Sequence, residues 1–255
     1  MTRRPPVLGR RPRRLAALLV ALLLVASSDF GLGLGLGLSR PAFAGDLAAQ
    51  RKTMVEELRR RGITKPDVLA AMEQVPRHLF VPDEVRAQAY SDTPLSIGGG
   101  RTVYQPYVVA LMTSLLDLKK GDKVLEVGTG SGYHAAVLAR IARQVFSVEI
   151  VETVASQATT RLSVLGYHNV AVKVGDGYQG WPDEAPFDAI LLSAAPPHIP
   201  KPLIAQLRVG GHMVVPVGGF FQDLLVITKA ADGIETRTVI PVRLSPMTGK
   251  VRDGE

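Results

Sequence analysis

The sequence lacks cysteine, and it lacks several residue patterns that mark common enzyme classes. Because no cysteine is present, disulfide bonds and thiol catalysis are both excluded. The five histidines form no close pair and no H-x-x-x-H spacing, so no metal site is expected. A G-x-S-x-G segment is also missing, which argues against a hydrolase of the nucleophile-elbow type.

The net charge of +7 is concentrated in the first 44 residues. Residues 1–44 contain seven arginines and one aspartate, which account for six of these charges and leave +1 for residues 45–255. A charge confined to a leader does not indicate nucleic acid binding, so no nucleic acid partner is expected. At 255 residues, the chain is long enough for one domain with a sizeable core.

The leader has the three parts of a secretory signal peptide. A basic region ends at Arg14, an apolar run of 12 residues covers 15–26, and the small-residue segment A-F-A occupies 42–44. The apolar run is shorter than the ~20 residues that a membrane span requires. We therefore predict that residues 1–44 are cleaved during export and that the mature chain is periplasmic, without membrane contact. A leader that is not cleaved, giving a membrane-anchored or a cytoplasmic protein, is the alternative.

The most informative stretch is 123–134, which reads K-V-L-E-V-G-T-G-S-G-Y-H. A short apolar strand is followed by three glycines at alternate positions and then by a helix-compatible run, which is the order of a nucleotide-binding βαβ unit. Gly128, Gly130 and Gly132 allow positive φ and remove every Cβ, so a ligand can approach the backbone. A dinucleotide fingerprint would need glycine where the sequence has Tyr133, so an NAD-dependent oxidoreductase is disfavoured.

Acidic residues accompany this turn at the ends of the predicted strands. Glu126 begins an E-x-G-x-G-x-G segment, which resembles motif I of the S-adenosylmethionine-dependent methyltransferases. Glu149 ends the next apolar run, 21 residues after Gly128, where a carboxylate can accept bonds from two ribose hydroxyls. Asp176 follows a third strand between two glycines, where it can reach the amine of a bound adenine.

The order of predicted elements indicates an α/β fold with a doubly wound, mostly parallel sheet, antiparallel edge strands and an N-terminal helical cap. Predicted strands cover 124–127, 145–148, 170–174, 187–193, 213–217, 224–228 and 236–242. Predicted helices cover 47–61, 66–75, 108–118, 133–142, 151–165 and 200–207. The segment 90–107 contains three consecutive glycines and is predicted to be a long loop lying across the site. The chain would then comprise N-terminal helices and a substrate loop at 45–118 and a cofactor-binding core at 119–255.

Five segments together resemble the protein-L-isoaspartate O-methyltransferases, and the likeness covers nearly all of residues 50–250. Two of them, at 92–107 and 186–200, are the most specific, whereas the glycine loop alone would indicate only the wider superfamily. The five are D-T-P-L-S-I-G-G-G-R-T-V-Y-Q-P-Y (92–107), V-L-E-V-G-T-G-S-G-Y (124–133), G-D-G-Y-Q-G-W (175–181), P-F-D-A-I-L-L-S-A-A-P-P-H-I-P (186–200) and G-G-H-M-V-V-P-V-G (210–218).

The resemblance implies a Rossmann-like methyltransferase with S-adenosylmethionine as its cofactor. Members of this family methylate the free α-carboxylate of an L-isoaspartyl residue, and the ester then cyclises to a succinimide that can reopen to aspartate. The implied partners are damaged proteins or peptides that carry isoaspartyl residues, and a monomer is expected. Glu126 and the three glycines of the turn would border the cofactor, Glu149 would hold its ribose, and Asp176 with Gly177 would approach its adenine.

On the substrate side, the resemblance places the segment from Arg101 to Gln105 over the isoaspartyl group and lets Thr248 reach the same pocket. Thr102 and Tyr104 would be the catalytic positions. The family pattern is T-I-S-Q-P, and its serine is usually assigned as the active residue, whereas this sequence has Tyr104 at the matching position. The preceding G-G-G-R also departs from the common G-H-G-Q.

The tyrosine at this position leaves more than one function open. The nucleophile is a carboxylate that is already ionised near pH 7, from a reference pKa of about 4, so no general base is needed. Alignment of the reacting atoms can supply much of the rate, and a tyrosine hydroxyl could serve as a positioning donor. Isoaspartyl methylation is therefore the first hypothesis. The alternatives are a methyltransferase of a different carboxylate or small-molecule acceptor, and a cofactor-binding module without catalysis, because the larger ring could fill the acceptor pocket.

Overall fold

The structure, a computed structural model, describes residues 42–250. The predicted signal peptide at 1–44 lies outside this part of the chain, apart from its last three residues. None of the helices within 42–250 combines the length and the apolar character that a bilayer span requires.

The described strands are arranged as one large sheet and one small hairpin. They are β1 (Leu95–Gly98), β2 (Arg101–Val103), β3 (Lys123–Val127), β4 (Gln144–Glu149), β5 (Val170–Val174), β6 (Phe187–Leu192), β7 (Leu207–Gly218), β8 (Gln222–Lys229) and β9 (Ile234–Val242). Strands β3 to β9 form a sheet in the order β5-β4-β3-β6-β7-β8-β9. The pairs from β5 to β7 are parallel, and β8 and β9 add antiparallel pairs at one edge, which confirms the predicted fold.

The helices are α1 (Ala42–Arg60), α2 (Pro66–Gln74), α3 (Pro106–Leu115), α4 (Tyr133–Ala139), α5 (Glu152–Val164) and α6 (Lys201–Gln206). Gly62 ends the first helix: it has φ +93°, and the Ile63 amide donates back to the Leu58 carbonyl at 3.0 Å. Helix α3 begins at Pro106, two residues before the predicted start, because proline fits the first turn of a helix. Helices α1, α2 and α3 pack against one another and form the predicted cap.

The prediction of a long loop at 90–107 was wrong in one respect, because this segment contains the antiparallel hairpin β1–β2. Leu95 and Val103 are paired across the hairpin and are both buried. The turn between the strands is made by three glycines with positive φ, at 98, 99 and 100. Strands of four and three residues are too short to show a clear alternation in the sequence, so pattern alone did not reveal them.

One hydrophobic core extends from the cap into the sheet. It includes Met54 of α1, Met72 of α2 and Met112 of α3 together with Val124 of β3 and Leu224 of β8. The cap and one face of the sheet therefore bury each other's apolar side chains, and the hairpin lies in the chain between helices α2 and α3 of this cap.

Two further segments reach the edge of the sheet at which the parallel strands end. The hairpin lies over the glycine loop, since a Cβ built on Gly130 would be 3.9 Å from Cδ1 of Ile97. The segment 245–248 is joined to the end of β6 because the Ala195 amide donates to the Ser245 carbonyl and the Met247 amide donates to the Ala195 carbonyl, each at 2.8 Å. Ligands of open α/β sheets bind at this edge.

Candidate active site

A cavity of about 340 Å³ lies where these segments meet. Its volume falls within the range of small-molecule sites, roughly 300–1,000 Å³. Its walls are the hairpin, the glycine loop, the ends of β4 and β6, and the segment 245–248. Eight of the predicted site residues line it, namely Arg101, Thr102, Tyr104, Gly128, Gly130, Glu149, Gly177 and Thr248. Four do not, namely Gln105, Glu126, Gly132 and Asp176.

The three glycines of the loop have positive φ and different neighbours. A Cβ on Gly128 would be 3.4 Å from the Ser193 side chain, so this glycine lets β3 and β6 end close together. A Cβ on Gly132 would be 3.2 Å from the Leu162 side chain of α5. Gly132 therefore serves helix packing, whereas Gly128 and Gly130 leave bare backbone facing the cavity.

Glu149 is a buried carboxylate held by the backbone on both of its oxygens. Oε2 accepts from the Gly130 amide at 3.0 Å, and Oε1 accepts from the Val151 amide at 3.1 Å. A carboxylate has about four acceptor sites, so both oxygens keep acceptor capacity at the cavity wall. This arrangement suits two adjacent hydroxyls, which is the pattern that a ribose presents.

Glu126 is fully buried behind the loop and does not face the cavity. Ser147 donates to its Oε2 at 2.5 Å, and the Thr129 and Ser147 hydroxyls are 2.6 Å apart, so Thr129 donates to Ser147. Burial, together with the nearby Glu149 carboxylate, raises the pKa of Glu126 to about 8 against the opposing bond from Ser147. Glu126 is therefore a protonated acid at neutral pH, and it is linked to Thr129 of the glycine loop through the Ser147 hydroxyl.

The raised pKa of Glu126 makes the stability of the protein depend on pH. The folded chain keeps this proton up to about pH 8, whereas the unfolded chain loses it near 4.5, so the contribution of Glu126 to the free energy of unfolding falls as pH rises between these values. The contribution is up to about 1.4 kcal/mol per pH unit. We expect Glu126→Gln to remove this slope, which urea unfolding of both proteins at several pH values would measure. Parallel pH profiles for the two proteins would show that Glu126 stays ionised.

Asp176 does not line the cavity, whereas its neighbour Gly177 does. The Asp176 carboxylate accepts from the Tyr178 amide at 2.9 Å and from the Lys250 amide at 2.8 Å. It therefore tethers the C-terminal segment to the end of β5. A Cβ on Gly177 would be 2.3 Å from Cγ1 of Val127, so any larger residue would displace the core of the sheet.

Tyr104 links three parts of the site. Its hydroxyl donates to the Ser193 carbonyl at 2.9 Å and accepts from the Ser245 amide at 3.0 Å. Burial raises the pKa of this hydroxyl, so it is neutral at physiological pH. Its single proton is committed to Ser193, and Tyr104 fastens the hairpin to β6 and to the C-terminal segment instead of offering a proton to a substrate.

Arg77 is a fully buried arginine that sequence reasoning did not single out. It donates to the carbonyls of Ala89 at 2.7 Å, Tyr104 at 2.8 Å and Thr93 at 3.5 Å, and its guanidinium lies 5.1 Å from the centroid of the Tyr133 ring. Burial lowers its pKa. Arg77 thus holds both ends of the segment that carries the hairpin. A charged residue within the apolar run of 75–81 was the only sequence signal for it.

His134 lines the cavity and, like Arg77, was not indicated by the sequence. Its Nε2 is 3.0 Å from the Thr113 hydroxyl, which already donates to the Val109 carbonyl at 2.8 Å. Nε2 must therefore carry the proton and donate to Thr113. Burial lowers the pKa of His134 to about 3, so the ring is neutral and adds no charge to the cavity.

The predicted substrate residues lie on two sides of the cavity. Arg101 and Thr102 belong to β2, and Thr248 belongs to the C-terminal segment opposite. Gln105 lies outside the lining because it caps the start of α3, where its carbonyl accepts from the Val109 amide at 3.1 Å. The residues brought to this cavity thus carry one guanidinium and two hydroxyls, and groups of these kinds suit an acceptor carboxylate.

Comparison of sequences relates this chain to one family. The family model described as Protein-L-isoaspartate(D-aspartate) O-methyltransferase (PCMT) matches residues 49–252. A protein-L-isoaspartate O-methyltransferase of Picosynechococcus sp. is 51% identical over 203 residues, which are 80% of this chain and 91% of the relative. Protein-L-isoaspartate O-methyltransferase 1 of Cupriavidus necator is 48% identical over 259 residues, covering 96% of each chain.

A comparison with solved structures leads to the same family. A beta-aspartate methyltransferase (PCMT) from Plasmodium falciparum, solved in complex with S-adenosyl-L-homocysteine, superposes with a TM-score of 0.68 at 27% identity, covering 78% of this chain and 98% of that chain. The family model and both sequence relatives extend over the glycine loop, Glu149 and the hairpin. The chain therefore belongs to the protein-L-isoaspartate (D-aspartate) O-methyltransferase family.

Proposed function

We infer that this chain is a protein repair methyltransferase, which transfers a methyl group from S-adenosylmethionine to the free carboxylate of L-isoaspartyl residues. Its similarity to the family extends over most of the chain and supports this function. The observation that carries it is a single cavity that joins the glycine loop and Glu149 to the hairpin and the segment 245–248. This arrangement supports a cofactor site next to an acceptor site, as a transfer between two molecules requires.

The residues present fit the cofactor of this family. Gly128 and Gly130 offer bare backbone, and Glu149 keeps acceptor capacity for two hydroxyls. When bound, S-adenosylmethionine supplies a methyl group on a positively charged sulfur, which a carboxylate oxygen can attack. His134 is neutral, so it brings no competing positive charge to the cavity.

The acceptor side of the cavity orients the substrate and needs no proton transfer. An isoaspartyl carboxylate is ionised near neutral pH, so its oxygen is already a nucleophile. Arg101 can pair with this carboxylate, and the hydroxyls of Thr102 and Thr248 can donate to it. Tyr104 acts indirectly, because its hydroxyl keeps the hairpin and the C-terminal segment together around the acceptor.

Removing the Tyr104 hydroxyl tests this assignment. Tyr104→Phe leaves the Ser193 carbonyl and the Ser245 amide without a partner, so the hairpin should loosen. Two hydrogen bonds contribute about 1 kcal/mol each, so we expect kcat/KM for an isoaspartyl peptide to fall on the order of tenfold. The affinity for S-adenosylhomocysteine, measured by calorimetry, should change by less than about threefold, because Tyr104 does not support the glycine loop.

Tyr107→Phe is the matched control, since Tyr107 carries the same hydroxyl three residues later and is not part of the cavity lining. Unchanged kinetics of Tyr104→Phe would mean that the link to Ser193 and Ser245 does not shape the acceptor site. If the wild-type protein binds S-adenosylhomocysteine but methylates no isoaspartyl peptide, the inferred acceptor is wrong, and other carboxylates should be screened.

We also propose that residues 1–44 direct export and that the mature chain acts in the periplasm as a monomer. The order of basic region, apolar run and A-F-A segment supports this proposal. The Cupriavidus necator relative aligns over 96% of this chain, so the alignment includes part of the leader. Mass spectrometry of the protein from fractionated cells would test the proposal: we expect a soluble monomer that begins at Gly45, and a full-length form in the membrane fraction would contradict it.

A further inference from the structure

Two adjacent phenylalanines form an apolar surface that the function described so far does not use. Phe220 and Phe221 are 78% and 86% exposed, and their rings meet edge to face with centroids 5.0 Å apart. The other large apolar side chains that are exposed within 42–250 stand singly along the chain. Single exposed apolar residues are ordinary on protein surfaces, but a pair of exposed aromatic rings is a common feature of binding sites.

The turn that carries the pair, between β7 and β8, is firmly held. Gly218 has φ +134°, and a Cβ on it would be 2.1 Å from the Phe221 carbonyl oxygen, so this tight turn requires glycine. The Gln222 side chain is buried, donates to the Leu244 carbonyl at 3.0 Å and accepts from the Leu244 amide at 2.7 Å. The rings are thus presented by a fixed turn and not by a free loop.

Hydrogen bonds connect this turn to segments that lead to the cavity wall. The Gly218 amide donates to the Pro196 carbonyl at 3.0 Å, and Pro196 is two residues after Ala194, which lines the cavity. On the other side, Gln222 pairs with Leu244, which immediately precedes the cavity-lining Ser245. Both connections lead within two residues to the wall of the acceptor site.

A positive charge accompanies the two rings. The guanidinium of Arg243 lies 5.6 Å from the centroid of the Phe220 ring, and Arg243 is exposed. The patch therefore combines apolar surface with a cation, and this combination suits a flexible peptide that carries both apolar and acidic groups.

We propose that Phe220 and Phe221 form a docking subsite for the polypeptide substrate, where they bind an apolar side chain that flanks the isoaspartyl residue. The proposal rests on the proposed function, because the acceptor must then be part of a chain that continues across the rim of the cavity. The turn is bonded through Pro196 and Leu244 to the segments that form the acceptor wall, so a polypeptide with its carboxylate in the cavity can extend over the patch.

The test compares pairs of isoaspartyl peptides that differ only by leucine or serine at one flanking position, scanned along both sides of the isoaspartyl residue. We expect the wild-type protein to prefer leucine at one or more positions by about tenfold in kcat/KM, mainly through KM. The double variant Phe220→Ser with Phe221→Ser should lose this preference. Its turnover of the serine peptides and its affinity for S-adenosylhomocysteine should not change.

Val209→Ser is the matched control, because Val209 is an exposed apolar residue near the opposite end of β7. Equal losses for both peptides of a pair, or no leucine preference in the wild type, would overturn the proposal. A change of oligomeric state in the double variant would also overturn the proposal, because the two rings would then bind a second copy of the chain. Loss of binding to anionic vesicles with the peptide preference intact would overturn it too, because the rings would then bind a membrane.

Failure of the proposed function can be told apart from failure of the docking proposal. If no peptide is methylated, that function fails, and docking is measured by fluorescence anisotropy of the same peptides in the presence of S-adenosylhomocysteine. If the wild-type protein binds the leucine peptides more tightly than the serine peptides and the double variant does not, the subsite is supported even though no methyl group is transferred. Equal binding of both peptides overturns it.

Discussion

Replacing Glu149 with alanine should lower the affinity for S-adenosylhomocysteine by roughly 100-fold or more, the largest effect on binding that we expect from a single side chain. Two effects combine. The bonds that Glu149 accepts from the Gly130 and Val151 amides are lost, so the glycine loop is no longer held in place. The acceptors for the ribose are lost as well, and bonds to a charged group contribute about 1.5–3 kcal/mol each.

Calorimetry with S-adenosylhomocysteine would measure this loss. Glu149→Gln should be intermediate, because the amide keeps one acceptor oxygen but replaces the other with a donor. The matched control is Glu152→Ala, which removes an exposed acid from the first turn of α5 three residues later. An affinity of Glu149→Ala within about threefold of the wild type would show that the cofactor is held elsewhere.

Replacing Arg77 with methionine should lower the free energy of unfolding by about 3 kcal/mol or more. Methionine fills most of the volume but donates no hydrogen bond, so the carbonyls of Ala89 and Tyr104 would be left without their partner. A buried polar group without a partner costs about 1–3 kcal/mol. Arg77→Lys should lose less stability, because an ammonium keeps the charge and can still reach one carbonyl.

Urea unfolding would give the change in stability, and kinetics would show whether Arg77 also positions the hairpin. Below the unfolding transition, we expect KM for an isoaspartyl peptide to rise in Arg77→Met, while the affinity for S-adenosylhomocysteine stays close to that of the wild type. Arg86→Met is the control, because Arg86 is a partly exposed arginine nearby whose removal should cost little. Equal effects of Arg77→Met and Arg86→Met on stability would contradict the role given to Arg77.

The cofactor side of the site could be predicted from the sequence because its signals are local. Gly128, Gly130 and Glu149 follow buried strands directly, and the end of a parallel strand is where such residues face a ligand. Glu126 and Asp176 show the limit of this reasoning. Both were expected at the cofactor, and neither lines the cavity. Glu126 is bonded to Ser147 behind the loop, and Asp176 is bonded to the Lys250 amide of the C-terminal segment, so their contact with the cofactor stays a prediction.

The substrate side could be predicted less well because its geometry depends on distant contacts. The partners of Tyr104 are 89 and 141 residues away in the chain, and no local pattern shows that its hydroxyl would be bonded to both. Arg77 reaches three carbonyls that lie 12 to 27 residues later. A motif can indicate which residues surround a substrate, but the direction of each hydroxyl follows only from the packed chain.

The two walls of the cavity come from parts of the chain that are far apart in sequence. One wall comes from positions 99–104 and the opposite wall from the segment 245–248. The segment is held to Ala195 by two backbone hydrogen bonds, so a local opening there would remove the second wall while the glycine loop stays formed. Loss of acceptor binding and loss of cofactor binding are therefore expected as separate events on heating, the acceptor first.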